Sequence, residues 1–234
     1  MLPPELCEAL AEDLDQLIRL HDRELDAETL AALRQAGFPG NLALVPEEGR
    51  ALLHEGLIAA PSVESLAADY AAIYLTGALG ASPCESVWVS DEHLNCEAPM
   101  FELADLYAAH GLGVSDRRRR YDDHLVCQLQ FLRHLVSRCP VDAAAICSVV
   151  DEHLGVWVGE FSARVAARSE SPFYAGLALL TAGWLNLARV LVAEISGVAC
   201  PTREAIDAKL RTRRAAHAAD VAPIRFMPGV GPAV

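Results

Sequence analysis

Tyr121-Asp122-Asp123-His124 sets two carboxyl groups and an imidazole in front of an amphipathic run through Leu125, Leu129, Leu132 and Leu135. A carboxylate in a first helical turn meets unpaired N–H groups and the positive end of the helix dipole, which stabilise it. A carboxylate beside an imidazole favours the imidazolium form, which makes His124 a proton-donor candidate near neutral pH. Neighbouring residues on a helix diverge by about 100°, so Asp123 and His124 are badly placed for a direct catalytic dyad. The plainer alternative is an N-cap Asp with a His bonded to a nearby loop, and the sequence leaves both open.

The segment ahead of this motif is unusual in its charge. From Ala51 to Asp116 there is no Lys or Arg, while Glu55, Glu64, Asp69, Glu85, Asp91, Glu92, Glu97, Glu102, Asp105 and Asp116 are all acidic. An Asp-His pair beside so acidic a surface suggests a receptor for something basic. Within the segment, Glu85-Ser86-Val87-Trp88 follows a loop marked by Gly77, Gly80 and Pro83. A Trp after such a loop is either core or a ligand anchor, since Trp is enriched at binding hot spots. Arg117 to Arg120 reads as a solvated loop, or as a bridge drawing the acidic segment to the helix start.

Helices must position these residues. Leu6, Leu10, Leu14, Leu17 and Ile18 form one apolar stripe behind a Pro3-Pro4 entrance. Further helices are predicted over 26–36, 46–58, 62–76, 98–110, 121–138, 141–167 (with a kink at Gly155), 172–195 and 201–216. Ser62 is the expected N-cap of the fourth, and Gly37, Gly111, Gly113 and Gly197 are the expected stops. Residues 77–91 are predicted to be the least regular internal stretch. No hairpin chemistry and no fixed-period repeat is visible. The sequence therefore predicts an all-α, single-domain bundle of about nine helices over residues 1–216, with an irregular Pro/Gly-containing tail over 217–234.

Composition narrows the function classes. The chain has 234 residues, is 53% hydrophobic and 22% charged, and carries a net charge of −13. It can bury a sizeable core, and nonspecific binding to nucleic acid or anionic membranes is disfavoured. The first residues are acidic and lack a basic n-region, so they do not read as a secretory signal. The uncharged window 171–188 reads as a buried core helix, with no stable membrane insertion. Seven Cys in this context read as reduced thiols. The spacing of Cys84, His93 and Cys96 matches no paired ligand pattern, and Gly77-Ala78-Leu79-Gly80 lacks the strand and GK[ST] of a phosphate loop. No metal or cofactor site is expected from these patterns.

Taken in order, the pieces resemble the TorD/DmsD/NarJ family of redox-enzyme maturation chaperones. The resemblance rests on Tyr70, Tyr74, Gly77, Gly80 and Pro83, then Glu85-Ser86-Val87-Trp88, then Tyr107, Gly111 and Leu112. It continues through Asp123-His124-Leu125, Gln128-Leu129, Phe131-Leu132 and Leu135, with His153-Leu154, Trp157, Phe161 and Phe173-Tyr174 downstream. It spans about residues 62–196. There are two departures: Gln128 stands where the family has Glu, and Tyr121-Asp122 replaces a Pro before the Asp-His pair.

The resemblance implies an all-α cytoplasmic chaperone without catalysis. Its partner would be the catalytic subunit of a molybdopterin-containing oxidoreductase, bound through its N-terminal twin-arginine signal peptide and held back from export until the cofactor is inserted. Glu85, Ser86, Trp88, Tyr121, Asp123 and His124 would line or support the peptide site. Guanidinium groups pair well with carboxylates, and the following apolar stretch needs a hydrophobic groove. The alternatives are a small Asp/His-dependent hydrolase or nucleotide-binding protein, which lacks a nucleophile motif, and a structural all-α adaptor.

Overall fold

A computed structural model describes residues 2–59, 62–90, 92–117, 119–202, 204–209 and 211–212. Among these residues ten α-helices lie between Pro4 and Ser196, and there is no strand. They are α1 (Pro4–Asp22), α2 (Ala27–Ala36), α3 (Arg50–Ile58), α4 (Val63–Tyr70), α5 (Ser86–Val89), α6 (Ala98–Ala109), α7 (Leu125–Val136), α8 (Ala143–Val149), α9 (Gly155–Arg168) and α10 (Pro172–Ser196). Two π-helical turns interrupt the bundle: Ala71–Leu75 prolongs α4, and Val150–Leu154 joins α8 to α9. The all-α prediction holds. Residues 204–209 and 211–212 are helical, while the rest of the predicted last helix and the predicted tail lie outside the described residues.

The core is built around α10, which packs against α9 and α3, while α1 packs against α7. Trp184, Leu177 and Leu180 on α10 are almost fully buried, together with Trp157 and Phe161 on α9 and Leu10, Leu14 and Leu17 on α1. By length and composition α10 is apolar enough to cross a membrane, yet 67% of its apolar window is buried inside the protein, as in a core helix. Close approach of α3 to α10 needs glycine on both sides. A Cβ at Gly176 would lie 2.6 Å from the Leu53 nitrogen, and one at Gly49 would lie 2.1 Å from the Gly176 carbonyl oxygen. Gly49 has φ +75°, so α3 begins at Arg50 and not at the predicted Pro46.

Several predicted boundaries rest on the expected chemistry. Ser62 accepts a hydrogen bond from the Ser65 N–H, and Gly37 and Gly197 end α2 and α10 in the left-handed conformation. The predicted kink at Gly155 is the junction of the second π turn with α9. There a Cβ would lie 2.7 Å from the Val150 carbonyl oxygen, so glycine lets the turn close. Buried Asp13 on α1 joins three parts of the fold: its carboxyl group accepts from the Ala43 and Leu44 N–H groups and from Trp184 Nε1 at 2.8–2.9 Å.

Two local predictions need correction. Residues 77–91 include α5, and the connection from His110 to His124, which has no helix among its described residues, is the longer irregular stretch. The motif helix starts at Leu125 and not at Tyr121, because the chain at 123–125 is drawn into bonds with the loop before α5.

Candidate functional site

Backbone hydrogen bonds bring Glu85-Ser86 and Asp123-His124 together. The Leu125 N–H donates to the Pro83 carbonyl at 2.8 Å and the Glu85 N–H to the Asp123 carbonyl at 3.1 Å, which makes Cys84 and His124 an isolated antiparallel bridge. The Asp123 carboxyl then accepts from the Ser86 N–H at 2.9 Å. Asp123 therefore caps the start of α5 and not α7, whose N-cap is His124: its Nδ1 accepts from the Val126 N–H at 3.1 Å.

Glu85, Ser86, Asp123 and Gln128 have no exposed surface, and His153 is nearly buried. The Glu85 carboxyl accepts from Gln128 Nε2 at 3.1 Å and from His153 Nδ1 at 3.1–3.2 Å, while Gln128 Nε2 also donates to the Asp123 carbonyl at 2.8 Å. The π turn at 150–154 is what aims His153 inward, a recurrent use of such turns. The departure at 128 now has a physical reading. Gln supplies the amide donor that joins Glu85 to Asp123, where Glu would set a third carboxyl group among two buried ones. Burial raises the Asp123 pKa, against the lowering effect of the Ser86 hydroxyl and N–H.

The expectation of a cationic His124 is overturned. Burial, with the nearby Arg120 and His21, lowers its pKa to about 3. It is neutral at physiological pH, with Nδ1 as acceptor and the proton on Nε2. His21 behaves alike. Thr181 donates to the Leu177 carbonyl, so its oxygen accepts from His21 Nε2 at 2.8 Å, and His21 Nδ1 accepts from the Tyr74 hydroxyl. Burial takes the His21 pKa to about 3 as well.

These two shifts fix a pH dependence. A folded-state pKa below the ordinary value near 6.5 means that the unfolded chain binds more protons under that pH. The stability contributed by each neutral histidine is complete above pH 6.5 and is lost as pH falls toward 3. The raised Asp123 carboxyl acts in the opposite sense. Urea unfolding at pH 7.5 and at pH 5.0 should differ by about 2–4 kcal/mol in favour of the higher pH, at about 1.4 kcal/mol per proton per unit. Equal stabilities would mean that neither imidazole is buried neutral.

Beside the bridge lies a cleft of about 450 Å³, lined among others by Ile73, Tyr74, Leu75, Pro83, Tyr121 and His124. Leu75 and Tyr121 at its edge are 65% and 37% exposed. The π turn at 71–75 presents Tyr74 and Leu75 here. Glu85, Ser86 and Asp123 stand behind the cleft, fixing its wall, and Tyr121 and His124 face it. Trp88 does not line it. Its Nε1 donates to the Ser82 carbonyl, its ring meets Phe161 edge to face, and Arg164 lies 4.4 Å over it.

Among the described residues, the acidic segment supplies no carboxyl group to the cleft lining. Glu64, Glu92, Glu102 and Asp105 are exposed and are not among the lining residues, and the charged side chains among the described residues that line the cleft are those of Arg119 and Arg120. The arginine run does bridge, but to other acids: Arg117 pairs with the buried Asp122 at 3.0 Å, and Arg120 with Asp22 at the end of α1. Sequence reasoning missed Asp22, His21 and the bond between His153 and Glu85, since none lies near the motif in the chain. Among the described residues, no three His, Cys, Asp or Glu side chains are placed to hold a metal ion. Cys84 and Cys127 are buried thiols, and burial pushes the Cys127 pKa up to about 12.

Residues 43–163, which include the cleft and the whole buried polar set, match the family described as nitrate reductase delta subunit. The chain belongs to that family. Members of this TorD/NarJ family are maturation chaperones and not enzymes. The chain is similar to the chaperone protein TorD of Shewanella loihica, with 26% identity over 182 residues that cover 72% of this chain and 85% of the relative. It is similar to TorD of Vibrio cholerae, with 28% identity over 131 residues, or 52% and 59% of the two chains. TorD of Shewanella pealeana is 29% identical over 129 residues, or 52% and 58%. The family match and the buried Glu85–Gln128–His153 set coincide in the chain, so the resemblance reaches the residues that fix the cleft wall.

Proposed function

We propose that this nitrate reductase delta subunit family member is a cytoplasmic chaperone for the catalytic subunit of a molybdopterin-containing oxidoreductase. It binds the N-terminal twin-arginine signal peptide of that subunit, assists cofactor insertion and delays export until the subunit is mature. The observation that carries the reading is the cleft beside the Cys84–His124 bridge. It offers apolar surface from Ile73, Leu75 and Pro83 and aromatic surface from Tyr74 and Tyr121 on a wall fixed from behind. An extended or helical apolar peptide can be buried on such a surface, and a rigid wall reduces the ordering cost of binding. Tyr121 and His124 touch the peptide; Glu85, Ser86 and Asp123 hold those residues in place, and Trp88 pins the loop between them.

A fluorescent peptide carrying two consecutive arginines and a following apolar stretch tests this. Its affinity should fall between about 0.1 M and about 1 M salt, where the screening length shrinks from about 10 to about 3 Å, without vanishing, because apolar burial remains. A twin-lysine version should bind more weakly at both salt concentrations, since Lys lacks the planar fork. Equal binding of the two peptides, or no salt dependence, would remove arginine recognition from the proposal.

A further inference from the structure

Among the described residues, none that lines the cleft for the apolar part of such a peptide carries a carboxyl group. A described acceptor for a guanidinium lies beside it. At the last residue of α1, Asp22 holds a guanidinium already. Arg120 Nη1 bonds to Asp22 Oδ1, and Arg120 Nη2 donates to the Asp22 carbonyl at 3.2 Å. The same carbonyl accepts from the Tyr70 hydroxyl at 2.7 Å, which fixes its direction. One carboxyl group and one oriented carbonyl thus present two acceptors to two nitrogens of a single planar group, the geometry that favours Arg over Lys.

Arg120 reaches this place from the irregular connection between α6 and α7. Its side chain lines the peptide cleft on one side and, on the other, a second cavity of about 410 Å³ that Asp22 also lines. Both partners keep contact with solvent: the side chains of Arg120 and Asp22 are 18% and 31% exposed. The loop that carries Arg120 is held at its base by the pairing of Arg117 with Asp122. Releasing Arg120 thus leaves a loop anchor in place and exposes the two acceptors to the second cavity, next to the cleft that Arg120 also lines.

We propose that the Asp22 carboxyl and carbonyl form an arginine-recognition subsite for the bound peptide, and that Arg120 occupies it in the free protein as a built-in substitute. This rests on the peptide-binding reading above. An incoming arginine displaces Arg120, which moves the chain at 119–121 and with it Tyr121 at the cleft edge. The exchange is of one guanidinium for another, so it favours arginine peptides and discriminates against lysine ones. It also holds the free protein's affinity below that of an empty subsite.

The test uses the full chain and the labelled twin-arginine and twin-lysine peptides. Arg120→Ala empties the subsite and should raise affinity for the twin-arginine peptide severalfold, with little change for the twin-lysine peptide. Asp22→Asn should weaken the twin-arginine peptide about tenfold and reduce its advantage over twin-lysine. The double variant should show no gain over Asp22→Asn alone. Melting temperatures on the same samples separate binding from folding, and if Asp22→Asn proves unstable, Arg120→Ala decides alone. Wild-type binding with unchanged affinity in Arg120→Ala would overturn the subsite and leave peptide binding standing. Absence of binding in every form would overturn both.

Discussion

Replacing Glu85 by Ala should destabilise the protein by about 2–6 kcal/mol, since it leaves two buried donors without their acceptor at about 1–3 kcal/mol each. The Glu85 carboxyl is fully buried and accepts from Gln128 Nε2 and His153 Nδ1, so the variant strands donors from α7 and from the π turn before α9. Asp123→Asn should behave differently. The Asn side chain still offers an oxygen to the Ser86 N–H, and it removes a carboxyl whose pKa burial raises. Its cost should stay within about 1 kcal/mol, since an acceptor is kept. Urea unfolding at pH 7.5 compares the two. A loss below 1 kcal/mol for Glu85→Ala would show that the cluster is not what joins α5, α7 and the π turn.

Asp13→Ala should be comparably severe. Three donors, the Ala43 and Leu44 N–H groups and Trp184 Nε1, converge on a carboxyl group that is 2% exposed. Each buried donor left without an acceptor costs about 1–3 kcal/mol, so a loss of at least about 3 kcal/mol is expected for the three. Trp184→Phe removes only one of the three donors and keeps most of the ring, and should cost distinctly less. Equal losses for the two variants would place the effect in Trp184 packing and not in the three-way bond.

The features that sequence carried well were those with local causes. The α1 stripe, the Ser62, Gly37 and Gly197 caps and the break at Gly155 each depend on residues within a turn or two of each other. The apolar window of α10 was long enough to mark a core helix without any knowledge of its neighbours. The site was legible only as a set of names. Glu85, Ser86, Asp123 and His124 do meet, but their roles follow from bonds made between segments 37 or more residues apart. Asp123 resembled an N-cap of its own helix and instead caps another. His124 resembled an imidazolium, until the burial supplied by the surrounding elements became visible. Excess acid in the first half suggested where a basic ligand would bind, yet surface charge averaged over a segment does not say which carboxyl group faces a cleft. Asp22 carries no motif and sits in the chain about a hundred residues from the arginine it holds.

Photocrosslinking most directly tests the claim that this cleft receives a signal peptide. A twin-arginine peptide with a benzophenone in its apolar stretch would be irradiated with the full chain and the attachment sites mapped by mass spectrometry. Attachment should concentrate on residues that line the cleft, such as Leu75, Thr76, His93, Arg119 and Tyr121, and an unlabelled twin-arginine peptide should compete it away. Attachment instead on the exposed α10 residues Leu187, Val190 and Ile195, or attachment that no competitor reduces, would contradict the account.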